Sequence, residues 1–384
     1  MKIISVVGAR PNFMKIAPFI HAIEAYNAVN TSEKVEHLLV HTGQHYDDRM
    51  SKVFFKSLNI PDADIHLNIG SGTHAEQVGH TMIAFEKVLQ IEKPDWVVVV
   101  GDVNATLACS VTAKKEHIKV CHIEAGLRSG DMSMPEEINR LVTDRLSDLL
   151  LTPDALSGDN LRNEGILEEK IKFVGNIMID TLDANREKAL KMDFMQILQN
   201  NLLNSDSKLP EKIESFSLLT MHRPSNVDTK SILEAMVNFL LDEVCSNEYL
   251  IWPMHPRTRK QLHEFDLWER VENSTNIILL HPVNYHEMLK LNMLASVMLT
   301  DSGGLQEECC VLGTPCLTLR WNTERPITLR EHGGVSVLVG NNIARIREEY
   351  KNVKNKLRSP QRPELWDGKT AQRVLEAILD TSDL

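Results

Sequence analysis

Short apolar runs that are continuous rather than alternating recur along this chain, and longer amphipathic stretches separate them. Residues 3–7, 36–41, 96–100, 120–123 and 149–152 form a first series. Residues 217–221, 249–253, 277–280, 297–300, 315–319 and 335–339 form a second. A strand that is apolar at every position is buried on both faces, and helices between such strands supply the crossovers that parallel pairing requires. Two series therefore predict an α/β chain with two Rossmann-like, doubly wound domains in tandem. With 384 residues, 42% of them hydrophobic, the chain is long enough to bury two cores of ordinary size. The polar segment 191–212 reads as a helix that runs out into a surface loop. The boundary is expected just upstream of it, near 174–180, giving domains at 1–175 and 176–362. Residues 363–384 read as a C-terminal helix positioned to cross back onto the first domain.

A net charge of −11 argues against a general nucleic-acid or anionic-membrane surface, although a local cluster of bases and helix ends can still hold an anionic ligand. The six cysteines show no C-x-x-C spacing and sit largely in apolar runs, as reduced, buried thiols do. The N-terminal apolar run is too short for a signal peptide, and no segment approaches membrane-spanning length. The chain reads as soluble and cytoplasmic.

In open parallel sheets, ligands bind at the carboxyl ends of the strands, and the chemistry-bearing residues cluster there. Gly8-Ala9-Arg10-Pro11 follows the first strand, with Lys15 in the next helix. Gly101-Asp102, Glu124, His222-Arg223 and Asp301-Ser302-Gly303-Gly304 each follow a strand, and His255 follows another. Each has a structural alternative. Asp102 also suits a cap or turn, Glu124 a pair with Arg128, and His222 a plain loop. Glu136 and Glu137 follow Pro135 at a helix start, where acids stabilise the helix dipole, and Ile138, Leu141, Val142 and Leu149 are expected to supply the buried stripe. Ser302, Gly303 and Gly304 open a helical stretch, as a diphosphate cradle with Glu308 one turn on or as a tight turn capped by Ser302. The pattern lacks a P-loop lysine and a G-x-G-x-x-G after a strand, so ATP and dinucleotide readings have no support. None of the 15 histidines shows metal-ligand spacing.

Taken in order, Gly8-Ala9-Arg10-Pro11 with Lys15, His41-Thr42-Gly43-Gln44-His45, Gly101-Asp102, His122-Ile123-Glu124-Ala125-Gly126-Leu127-Arg128, Pro135-Glu136-Glu137 with Asn139-Arg140, His222-Arg223, residues 301–308 and Thr323-Glu324-Arg325-Pro326 resemble the UDP-N-acetylglucosamine 2-epimerases of the non-hydrolysing type. The resemblance runs from Gly8 to about Gly334. It implies a two-domain glycosyltransferase-B fold, with the nucleotide held mainly by the C-terminal domain and the chemistry in the cleft. It also implies a homodimer, no cofactor and no metal, and a place in supplying N-acetylmannosamine units for a cell-surface polysaccharide.

The implied reaction is a reversible inversion at C2 of the sugar. That C–H has little acidity, because its neighbour is an acetal carbon and not a carbonyl. The family eliminates UDP, with loss of the C2 proton, to a 2-acetamidoglucal and adds UDP back after protonation from the opposite face. Two faces need two proton-handling groups or a shuttle. By resemblance Asp102, Glu124 and Glu136 match the catalytic acids and His222 the catalytic histidine. Arg10 and Lys15 face the diphosphate, Ser302, Gly303, Gly304 and Glu308 bind UDP, and His255 and Arg325 are further substrate-binding candidates. One departure concerns the second, regulatory sugar-nucleotide site of some bacterial members. Gln44 and His45 remain, but Asp47 and Asp48 add negative charge and no Arg stands between Ile60 and Glu76, so that site is not expected here. The short loop 130–134 keeps a modified UDP sugar open as substrate. Other readings are a hydrolysing enzyme that releases N-acetylmannosamine and UDP, a glycosyltransferase using a UDP sugar, and a non-catalytic sugar-nucleotide sensor.

Overall fold

The structure is a computed structural model that describes residues 1–30, 32–43, 60–205, 208–354 and 356–382, with the backbone but not the side chains of Arg10 and Pro11. Gln44, His45, Asp47 and Asp48, on which the regulatory-site reading rests, lie outside the described residues, as does the side chain of Arg10. The chain divides into two compact units, Met1–Ala184 with Pro363–Leu384, and Asn185–Arg362. The division falls inside the helix Ile177–Leu190, later than the expected 174–180.

Among the described residues, the first unit is built on seven parallel strands: β1 (Lys2–Val7), β2 (Glu36–His41), β3 (Ile65–His66), β4 (Trp96–Val100), β5 (Lys119–Ile123), β6 (Leu149–Thr152) and β7 (Ile171–Phe173), in the order β3-β2-β1-β4-β5-β6-β7. The direction of travel reverses between β1 and β4, which makes that crevice the topological switch point. Val97, Val98 and Val99 are fully buried, as a strand covered on both faces requires. Phe85, Val88 and Leu89 of the helix His74–Glu92 close over Ile4, Val6, Val97 and Val99. Each such side chain contributes roughly 1.5–3 kcal/mol on burial. The edge strands β3 and β7 were not expected from the apolar pattern. They are two and three residues long, and part-buried positions leave no continuous apolar run to see.

Among its described residues, the second unit carries six parallel strands: β8 (Phe216–Thr220), β9 (Tyr249–Pro253), β10 (Ile277–Leu280), β11 (Val297–Thr300), β12 (Cys316–Thr318) and β13 (Ser336–Leu338), ordered β10-β9-β8-β11-β12-β13. All six match the second apolar series. Here the switch point lies between β8 and β11. Leu233, Met236 and Val237, at helical spacing in Lys230–Phe239, pack with Trp252, Leu299 and Ile346 into one core. The polar segment 191–212 does begin as helix, Phe194–Asn201, whose first turn is capped by Asp193 accepting from Gln196 N at 2.7 Å.

The C-terminal helix Thr370–Ser382 belongs to the first unit. Asp180 accepts from its first amides, Thr370 N at 3.1 Å and Ala371 N at 2.7 Å, and the buried Trp366 donates Nε1–H to Pro153 O at 2.9 Å. One expectation holds only in part: Leu149 is fully buried and Leu141 and Val142 are half-buried, but Ile138 is not. In the helix Pro135–Leu146, Ile138 is 45% exposed, and the buried side chains are Glu137, Asn139, Arg140, Thr143 and Asp144. The inward stripe is polar, because this helix serves an ionic network and not a hydrophobic core.

Candidate active-site residues in the two units

At the switch point of the first sheet, Asn12 ties the two diverging strands together. Its Oδ1 accepts from Gly8 N at 3.2 Å and Ala9 N at 3.0 Å, and its Nδ2 donates to Val100 O at 2.8 Å. One turn on, the buried Lys15 ammonium donates to Glu124 Oε2. Gly101 between them has φ +68°, and a Cβ there would lie 3.1 Å from Lys15 Nζ and 3.7 Å from Glu124 Oε2. The absence of a side chain at 101 is what leaves room for the ion pair. Glu124 itself has φ +69°, a left-handed conformation that costs a non-glycine residue on the order of 1–3 kcal/mol and clusters at functional sites. Its carboxylate is buried, and Oε1 has no hydrogen-bond partner among the described residues. A strained, buried carboxylate with one oxygen held and the other open is shaped for proton transfer.

Asp102 is half-buried. Its carboxylate accepts from Arg140 Nη1, and its carbonyl accepts from Asn139 Nδ2 at 2.8 Å. Arg140 is buried and reaches in the other direction to Glu137 Oε2, through Nε at 2.9 Å and Nη2 at 2.5 Å. Glu137 also accepts from Ser129 N and, at 2.8 Å, from Gly130 N. Burial pushes its carboxyl up, but the Ser129 amide and the Arg140 guanidinium outweigh this and hold it below the ordinary carboxylate range. Of the adjacent pair, then, Glu137 turns inward and Glu136 stands exposed on the first turn.

Beneath both acids, the buried His122 places Nδ1 2.6 Å from Asp144 Oδ1 and Nε2 2.9 Å from Gly101 O. Asp144 Oδ2 accepts from Gly126 N at 3.0 Å and from Arg128 Nη1 at 2.6 Å. Thus Arg128 pairs with Asp144 and Glu164, and Glu124 with Lys15.

At the switch point of the second sheet, Asp301 is fully buried. Its Oδ2 accepts from His222 N at 2.9 Å and Arg223 N at 2.8 Å, and His222 Nδ1 lies 2.9 Å from Oδ1. The His222 side chain is 42% exposed, and the ring of the exposed His255 stands 5.1 Å from it. His255 is also the N-cap of the helix Pro256–Glu264, accepting from Arg257 N at 3.1 Å.

Ser302 occupies the N-cap position of the helix Gly303–Leu312, but its hydroxyl makes no capping hydrogen bond, which favours the anion-cradle reading over the plain cap. A Cβ on Gly303 would fall 2.7 Å from Arg325 Nη1, whereas Gly304 faces open space. Arg325 is buried against Glu307 Oε1 at 2.8 Å and against Glu324, which also accepts from Arg320 at 2.7 Å. Its guanidinium therefore supports the turn from beneath, with its charge taken up by two carboxylates. Glu308 is buried beside Asn292 and Tyr285, and burial together with Glu307 pushes its carboxyl up to about 8.

Sequence reasoning located the strand-end acids, but it missed Arg140, Glu137 and Asp144 as the groups that hold them, and it left Asp301 without a role. The available signal was the spacing of Glu137, Arg140 and Asp144, which share one helix face.

Residues 27–379 match the family model described as UDP-N-acetylglucosamine 2-epimerase. The chain belongs to that family. It is 41% identical over 379 residues to the UDP-N-acetylglucosamine 2-epimerase of Methanocaldococcus jannaschii, covering 98% of this chain and 99% of the relative. The crystal structure of M. jannaschii UDP-GlcNAc 2-epimerase in complex with UDP-GlcNAc and UDP is similar with a TM-score of 0.87 at 40% identity, over 99% of this chain and all of that one. Another relative, the UDP-2,3-diacetamido-2,3-dideoxy-D-glucuronate 2-epimerase of Pseudomonas aeruginosa, is 38% identical over 88% of each chain. As an epimerase-family enzyme, the chain has the two doubly wound α/β domains of the glycosyltransferase-B type. No helix among its described residues is long and apolar enough to cross a membrane.

Proposed function

We propose that this chain interconverts UDP-N-acetylglucosamine and UDP-N-acetylmannosamine, without releasing the free sugar. The observation that carries the reading is Glu124: buried, left-handed, one oxygen held by Lys15 and the other open. In the forward direction a carboxylate takes the C2 proton as the C1–O bond to UDP breaks, and the electron pair becomes the C1=C2 bond of 2-acetamidoglucal. A proton is then delivered to the other face of C2, and a β-phosphate oxygen of UDP re-forms the bond to C1. Glu124, Asp102 and Glu136 are assigned to these proton transfers. Lys15 steadies the Glu124 carboxylate. Arg10 and Lys15 serve the departing diphosphate, His222 acts as the catalytic histidine, and His255 is a further substrate-binding residue. The amides of Ser302, Gly303 and Gly304 receive phosphate oxygens, Glu308 takes a ribose hydroxyl, and Arg325 braces the turn. The enzyme is assigned to the cytoplasm as a homodimer.

The test is proton NMR of UDP-N-acetylglucosamine with the purified chain in D2O. UDP-N-acetylmannosamine carrying deuterium at C2 is the expected product. Free N-acetylmannosamine with UDP would instead place the chain among hydrolysing enzymes. The 38%-identical P. aeruginosa relative favours one second reading, a UDP-2,3-diacetamido uronic acid as substrate. Turnover of that sugar nucleotide with none of UDP-N-acetylglucosamine would establish it.

A further inference from the structure

Asp301 has no part in the scheme above, yet it is the most enclosed acid on the catalytic edge of the second sheet. Strands β8 and β11 pair in register, Thr220 against Thr300, so His222 and Asp301 leave the sheet side by side where the strand order reverses. Asp301 is fully buried, and its Oδ2 accepts from three donors: His222 N at 2.9 Å, Arg223 N at 2.8 Å and Asn226 Nδ2 at 3.1 Å. Its other oxygen, which accepts no aligned hydrogen bond among the described residues, stands 2.9 Å from His222 Nδ1, and its carbonyl accepts from Arg223 Nε at 3.1 Å. Burial pushes the carboxyl up, but His222 and these amides overcome it, and the group is held below the ordinary carboxylate range. An ionised carboxylate only accepts hydrogen bonds. A lone pair on the imidazole nitrogen 2.9 Å away would face that charge, which favours the proton on Nδ1 and leaves the lone pair of the neutral ring on Nε2. Among the described residues, the other charged or titratable groups at this ring are Arg223, on the same loop, and His255, whose ring is tilted 33° against that of His222.

We propose that Asp301 is a positioning residue: it fixes His222 in the Nδ1–H form, so that Nε2 takes the proton of a β-phosphate oxygen as that oxygen bonds C1 and returns it to the same oxygen as the C1–O bond breaks. His222 then handles protons, beyond serving as a charge for the diphosphate. The inference rests on the epimerase reading for its consequence in turnover, but not for its geometry.

The experiment has a substrate-free arm and a kinetic arm. In protein labelled with 15N at histidine, above neutral pH, with His222→Gln identifying the signals, the wild-type ring shows a protonated Nδ1 and an unprotonated Nε2. Finding the proton on Nε2 overturns the proposal without any variant of Asp301. Asp301→Asn keeps an oxygen for the backbone amides but turns an N–H toward the ring, so the tautomer reverses. Turnover then falls by on the order of 100-fold, while affinity for UDP stays within about 3-fold. A structural role alone would give the same loss whatever stands at 222. Positioning predicts that in a His222→Asn background the Asp301→Asn change costs less than about 3-fold more. A loss undiminished in that background overturns the assignment. If the wild-type enzyme exchanges no C2 proton, the epimerase reading fails, and the 15N arm still decides the role of Asp301.

Discussion

Glu124 combines two costs at the carboxyl end of β5: its backbone lies in the left-handed region and its carboxylate is buried. Glu124→Gln is expected to retain UDP affinity and to lose C2 deuterium exchange by on the order of 10²–10⁴-fold, the usual weight of a positioned acid or base. NMR in D2O measures the exchange, and wild-type exchange in the variant would remove Glu124 from the mechanism. Glu308 makes a prediction of a different kind. Its folded-state carboxyl titrates near 8 because burial and Glu307 disfavour its charge, against an ordinary value of 4.5. Between these values the unfolded chain releases the proton while the folded chain keeps it. Glu308 therefore erodes stability as pH rises from about 4.5 to 8 and adds no further dependence above. Urea unfolding at a series of pH values should show a decline across that window that is absent in Glu308→Gln. At this scale the sequence was partly legible. An acid directly after an apolar strand, such as Asp102 or Glu124, has its location dictated by the strand. Neighbouring acids on a helix, such as Glu136 and Glu137, differ by about 100° of rotation, and which one turns inward depends on partners far along the chain.

The helix Pro135–Leu146 is where pattern reading fails and why. Ile138, Leu141 and Val142 suggest an apolar stripe, but the face that turns inward is Glu137, Arg140 and Asp144. Buried ions are accepted only when paired, and each is: Arg140 bridges Glu137 and Asp102, and Asp144 holds His122 and Arg128. Composition along one helix cannot reveal partners that arrive from β4, β5 and the loop at Ser129. Arg140→Ala should therefore cost roughly 3–5 kcal/mol in denaturant unfolding, because Glu137 is left buried without its cation. Asp102 loses its guanidinium as well, so turnover should fall along with stability. A variant as stable as wild type would show that the pairing is dispensable.

Across the whole molecule, the two series of continuous apolar runs were enough to read two parallel sheets, because strands covered on both faces leave no polar alternation to confuse with anything else. Among the described residues, only the short edges β3 and β7 escaped. What the pattern could not supply was how tightly the last segment is bound to the first unit. Trp366 is 1% exposed and donates to Pro153 O, so Trp366→Ala is expected to cost about 3–5 kcal/mol, read as a lowered unfolding midpoint. An unchanged midpoint would mean that the tail adds little. The unit Asn185–Arg362 is one uninterrupted stretch of chain, whereas the other needs both Met1–Ala184 and Pro363–Leu384. On a ribosome these two cases differ. The second unit has all of its residues before the helix that Asp180 caps is made, but the first, although begun earlier, still lacks that helix when the second is complete. The half of the enzyme that carries Glu124 is thus begun before the other and completed after it.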